Sequence, residues 1–152
     1  MRRGGFTLIE TLVALVVVSL LLLIGLPKFT SAMSQQNLRG SRTAVINMLV
    51  KAQAASTTSN RLTWLKVSTG GKAWIIARPR LVAAGTSTVD TLGLVEDLNK
   101  RYGVTMSYTG ADSVGFDPRG IASLAASSVV FTVNKSGHSE SITIDKLGRV
   151  VK

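Results

Sequence analysis

Glu10 carries the chemistry most in need of an account. It is the one ionisable side chain between Phe6 and Leu26, in a run otherwise built of Leu, Val, Ile, Ala and a few small polar residues. An ionised carboxylate inside an apolar layer costs at least ~2.5–3.5 kcal/mol, so such a group finds a partner or marks a function. Two accounts stand on the residues alone. Glu10 reaches back toward headgroups and favours the positive end of its own helix, or it meets a partner still to be named.

Elsewhere the reactive groups are scattered. The one histidine, His138, follows a turn glycine and reads as an exposed hairpin residue. Gly85-Thr86-Ser87-Thr88 is followed by Val89, so no nucleophile elbow forms. Gly70-Gly71-Lys72 lacks the earlier glycine and the following hydroxyl of a phosphate loop, and a hairpin explains it. Asp90, Glu96, Asp97 and Asp112 fit no calcium-loop spacing and read as solvated carboxylates. No enzyme, metal site or cofactor is expected. Cysteine is absent, so no disulfide framework or thiolate site is available.

The basic side chains are the remaining candidates. Lys and Arg number 18 against 8 Asp and Glu, a formal net charge of +10. That excess favours polyanions, or merely keeps a surface soluble. Arg149 and Lys152 lie on the C-terminal tail, with Arg119 and Lys146 near in sequence. Such groups neutralise phosphates with steep salt dependence and no sequence preference. Equally, Gly148 reads as a turn and Arg149 as the exposed start of an edge strand.

The elements that must position these residues begin with the apolar run. Roughly twenty residues rising ~1.5 Å each cross a ~30 Å hydrocarbon layer. A cleaved secretory signal would have a shorter core and a small-x-small site, whereas this run ends in Pro27-Lys28-Phe29. It reads as a membrane helix that stays, kinked rather than stopped at Pro27. Helical spacing resumes in Leu38, Val45, Leu49 and Ala52, with Met48 and Ala55 alongside. Gln35, Arg39, Arg42, Asn47 and Lys51 take the other face, and Gly40 weakens the middle by ~1 kcal/mol.

From Arg61 the period becomes two. Leu62–Ser68 and Ala73–Ala77 predict a hairpin about Gly70-Gly71. Val104–Tyr108 is a strand, and Val114–Phe116 leads into an Asp117-Pro118-Arg119-Gly120 turn. Val129–Val133 and Ser141–Ile144 form a second hairpin about Lys135-Ser136-Gly137, and Arg149–Val151 closes the chain. Thr91–Lys100 is left open between a short helix and a loop. No internal repeat is expected.

At Gly5-Phe6-Thr7-Leu8-Ile9-Glu10 the chain resembles the type IV pilin and pseudopilin family. The resemblance implies cleavage by a prepilin peptidase after Gly5 and N-methylation of Phe6. It also implies that Glu10 pairs with a neighbouring subunit's Phe6 amine as a filament assembles, with Pro27 bending or melting locally on packing. Arg2 and Arg3 would hold the leader cytoplasmic, leaving the globular part beyond the bacterial inner membrane before it enters a pilus or pseudopilus.

Trp74, Phe116–Gly120, Phe131-Thr132 and Leu147–Val150 further resemble minor pseudopilins of the GspH/FimT type. These imply an α+β fold, a long N-terminal helix packed against a C-terminal two-sheet β domain. The expected parts are leader 1–5, membrane helix 6–30, extramembrane helix 31–59 and β-rich domain 60–152. The implied partners are other pilins, the peptidase and the membrane. In DNA-uptake members a Gly-Arg-x-Arg tail contacts DNA. Here Gly148 and Arg149 match, Val151 replaces the second arginine, and Lys152 is the nearest substitute.

Overall fold

The computed structural model describes residues 7–79, 89–124 and 127–151. It divides into two compact units, Met1–Gln35 and Gln36–Lys152. The first helix, α1 (Leu8–Ser59), begins in one and ends in the other, with Pro27 inside it. The helix thus runs on past the proline, as the resumed periodicity requires.

Within the second unit α1 buries Leu38, Val45, Met48, Leu49 and Ala52. Steps of three and four residues stack these side chains on one face. Ser41 and Ser56 share the buried stripe and turn their hydroxyls onto the carbonyls of Leu38 (2.8 Å) and Gln53 (2.7 Å). Each is satisfied within its own helix, so it needs no partner across the core. Arg42 departs from the exposed face expected of it. It is half-buried, with Nε 3.8 Å from Glu140 Oε2.

The stripe is covered by two antiparallel sheets. Strand β1 (Thr63–Val67) pairs with β2 (Lys72–Ala77) in the expected hairpin. Thr63, Leu65 and Val67 point inward, as do Ala73, Ile75 and Ala77, which is the alternation a half-buried strand requires. Thr63 Oγ1 donates to the Ala52 carbonyl (2.8 Å), tying sheet to helix in a buried place. At the turn, Gly71 has φ +80, and a Cβ there would lie 2.7 Å from the Val104 carbonyl oxygen. A side chain would meet backbone at that point, so the glycine is required sterically as well as conformationally.

The stretch left open between helix and loop is mostly a strand. β3 (Asp90–Asp97) lies on the sheet edge beside β2, and α2 (Leu98–Tyr102) follows directly. Asp97 caps α2 through Lys100 N–H (2.8 Å). β3 hid in the sequence because its register shifts opposite Trp74 and Gly93 adopts φ +81. Three residues there face one, and the bulge breaks the period-two pattern. Most of the preceding segment, Val82 to Thr88, lies outside the described residues.

The remaining strands divide between the sheets. β5 (Ser113–Phe116) returns to pair with β1, and β6 (Ala122–Ser123) adds beyond it, giving the order β3-β2-β1-β5-β6. β4 (Thr105–Thr109), β7 (Ser128–Lys135), β8 (His138–Asp145) and β9 (Val150–Val151) make the second sheet in that order. The β7–β8 turn is Ser136-Gly137, both with positive φ, between the paired Lys135 and His138. That is the backbone twist a two-residue hairpin favours. Phe116, Phe131, Ile142 and Ile144 are fully buried between the sheets and α1. This is an α+β fold of one long helix and two antiparallel sheets.

Candidate functional site

The N-terminal part of α1 is apolar on every side. Leu8, Leu15 and Leu23 are 81%, 68% and 74% exposed, and Val16, Leu20 and Ile24 are exposed too. By length and composition the stretch is able to cross a membrane, and none of it is buried within the chain. A helix apolar all round belongs in lipid or inside a bundle of helices.

Glu10 sits in the first turn of this helix. Its backbone N–H donates to Thr7 Oγ1 at 3.3 Å, so Thr7 caps the helix start. Thr7-x-x-Glu10 is the spacing of a capping box, which gives the helix-end account of Glu10 a concrete form. The Glu10 side chain is exposed and has no ion pair among the described residues. Further on, Thr30 Oγ1 donates to the Pro27 carbonyl (2.9 Å) and Ser34 Oγ to Thr30 (3.0 Å), so small hydroxyls lie along the backbone after the proline. Gly5 and Phe6 lie outside the described residues, as does Lys152.

The basic tail is built from a turn used twice. In Asp117–Ile121, Asp117 Oδ1 accepts from the N–H groups of Arg119 and Ile121 (both 2.9 Å), and Gly120 N–H donates to the Asp117 carbonyl. In Asp145–Arg149, Asp145 Oδ1 accepts from Leu147 (2.9 Å) and Arg149 (2.8 Å), and Gly148 N–H donates to the Asp145 carbonyl. Both follow Asp-x-x-Gly, a short repeat that a search for long periods passes over. A Cβ on Gly148 would lie 2.9 Å from both Ala122 Cβ and Phe116 Cε1. The second turn therefore lies against the strands that carry the first, and Arg119, Lys146 and Arg149 share one exposed end of the domain.

Arg149 is not a free cation there. Its Nε and Nη2 lie 3.0 and 2.9 Å from Asp145 Oδ2. The Arg149 backbone N–H, with help from its guanidinium and from Leu147 N–H, holds the Asp145 carboxyl below its usual range. Arg119 and Lys146 have no ion pair among the described residues. His138 is exposed at its hairpin, as expected. Asp90, Glu96 and Asp112 are dispersed rather than gathered, held by Arg61 (2.7 Å), Arg101 (2.9 Å) and Lys66 (3.4 Å) respectively.

Comparison with known proteins separates the two ends of the chain. The prokaryotic N-terminal methylation motif matches residues 1–26. No curated protein matches the chain significantly. The type IV minor pilin FimU of Pseudomonas aeruginosa, in one crystal form, aligns over 77% of this chain and 88% of its own with a TM-score of 0.56 at 15% identity. A second crystal form of FimU aligns over 75% and 90% with a TM-score of 0.53, again at 15% identity. The identity is low, so the likeness is one of fold. The chain thus carries the prokaryotic N-terminal methylation motif at its first helix and, behind it, a fold similar to that of a type IV minor pilin.

Proposed function

We propose that the chain is a minor pilin or pseudopilin subunit with a structural rather than catalytic role, cut between Gly5 and Phe6 by a prepilin peptidase and N-methylated on Phe6. The uncut chain is held in the bacterial inner membrane by α1, with Arg2 and Arg3 cytoplasmic and the β-rich domain periplasmic. It then joins other pilins in a filament, either a type IV pilus or a type II secretion pseudopilus. One observation carries this reading: an apolar helix exposed on all sides holds a single carboxylate, Glu10, within the methylation motif. Cleavage creates a terminal amine on Phe6, and a neighbour's Glu10 gives it a counter-charge within the apolar layer. Pro27 supports a local bend or melting on packing. Deleting the gene separates the two systems. Loss of surface pili with normal secretion assigns the pilus, and retained folded cargo with normal pili assigns secretion. Wild-type behaviour in both contradicts the proposal.

A second reading, a DNA-binding minor pilin for natural transformation, is favoured by the shared end of the two Asp-x-x-Gly turns. Arg119 and Lys146 would carry the phosphates, with Lys152 beyond them. Arg149 contributes less, because Asp145 already occupies its guanidinium. Arg119→Ala with Lys146→Ala is expected to weaken duplex binding in a low-salt gel shift by about tenfold and to lower the salt slope by about 2. No shift by the unaltered protein at low salt contradicts this reading.

A further inference from the structure

The charges of the globular unit are matched in one direction only. Every acidic side chain of the sequence except Glu10 already has a partner within the chain. Asp90, Glu96, Asp112, Glu140 and Asp145 hold Arg or Lys at 2.7–3.8 Å. Asp97 caps α2, and Asp117 holds its own turn. Arg39 and Lys51, exposed on α1, have no ion pair among the described residues.

These two cations line one groove, together with Glu96, whose carboxylate holds Arg101 at 2.9 Å. It runs beside α1 with a volume of about 520 Å³, and α2 and the end of β3 form its other wall. Tyr102 stands against α1 because residue 40 is glycine, where a Cβ would lie 3.0 Å from the ring. Arg101 lies over the Tyr102 ring, 5.3 Å from its centroid. Gln36 and Asn47 add donors and acceptors that suit a peptide main chain, and Thr43, whose hydroxyl donates to the Arg39 carbonyl at 3.0 Å, adds an acceptor. Beyond Met48 and Lys51 the groove continues into a second hollow of about 650 Å³, walled by Ile75, Leu92 and Leu94. Leu94 is 92% exposed on the β3 bulge.

We infer that this groove takes an extended acidic segment of a different protein chain, its carboxylates on Arg39 and Lys51 and an apolar side chain in the hollow at Leu92 and Leu94. Arg39 and Lys51 are twelve residues apart, ~18 Å along the helix, which five or six extended residues span at ~3.3 Å each. A second copy of this chain is the less favoured occupant, because each carboxylate outside the membrane helix is already engaged by a cation or a backbone N–H of its own chain. The inference rests on the filament reading for where the partner is met, and it names the chemistry of that partner.

A photo-reactive residue at Thr43 of the full chain, in its native cells, tests this. The expected product joins Thr43 to another protein within a stretch holding at least two acidic residues. Arg39→Glu with Lys51→Glu should lower its yield by about tenfold through like-charge repulsion, and replacing the partner's acids by lysine should restore it. Both positions are exposed, and an unchanged melting curve confirms that the variant is folded. Capture of a second copy, a phospholipid or nucleic acid overturns the inference, as does an equal yield after charge reversal. If a probe at Val16 captures a neighbour while Thr43 captures nothing, the groove falls and the filament reading stands. If neither position captures anything, both fall.

Discussion

Glu10→Ala is expected to leave cleavage after Gly5 intact and to remove the chain from filaments. Truncating one member of a buried, hydrogen-bonded charge pair costs about 2–5 kcal/mol, much of it from the partner left unpaired. In the proposed filament that partner is the Phe6 amine of the neighbouring subunit. A loss of that size lowers incorporation by at least about twentyfold, read as the ratio of chain in sheared filaments to chain in membranes. Glu10→Gln separates the two accounts of this residue. A glutamine at the third helical position keeps a capping box, so the helix-end account expects near-normal assembly. It supplies no charge, so the pairing account expects the same failure as alanine. Thr7 still accepts the residue-10 backbone N–H in either variant, and the difference between them lies in the charge.

Gly148→Val should unfold the globular unit more readily than any change to the charged tail. The residue has φ +77, where a β-branched side chain is strained. Its new Cβ would meet Ala122 and the fully buried Phe116 at 2.9 Å. Backbone strain of about 1–3 kcal/mol adds to overpacking of about 1–3 kcal/mol. A loss of about 2–6 kcal/mol is expected in denaturant unfolding of the detergent-solubilised chain. Arg149→Ala removes an exposed ion pair and should cost at most about 1 kcal/mol. Near-equal losses would mean that Gly148 matters for the tail rather than for packing. The pair also bears on the Gly-Arg signature, since the glycine is fixed by Phe116 whether or not the arginine touches a phosphate.

The parts of this fold that follow from periodicity were readable in the sequence. Leu38, Val45, Leu49 and Ala52 specify a helix face, and Leu65 and Val67 opposite Ala73 and Ile75 specify a hairpin. What periodicity cannot supply is the choice of partner. Nothing in Val114–Phe116 says that it returns to β1, or that Thr105–Thr109 goes to β7 in the other sheet. β3 was illegible for a different reason, since the bulge at Gly93 puts Leu94 into solvent where alternation would place a polar residue. In the candidate sites, Glu10 was legible because a carboxylate among leucines needs a reason. The capture of Arg149 by Asp145 was missed because it depends on a turn that folds residue 149 back over residue 145. That Arg39 and Lys51 have no ion pair among the described residues emerges only once every acidic side chain has been given its partner.

The most direct measurement is the intact mass and N-terminal sequence of the chain recovered from assembled filaments. The account predicts a polypeptide that begins at Phe6, carries one added methyl group, and co-purifies with other pilin subunits. A chain that still begins at Met1, or a matured chain found only as a solitary membrane protein, would contradict it.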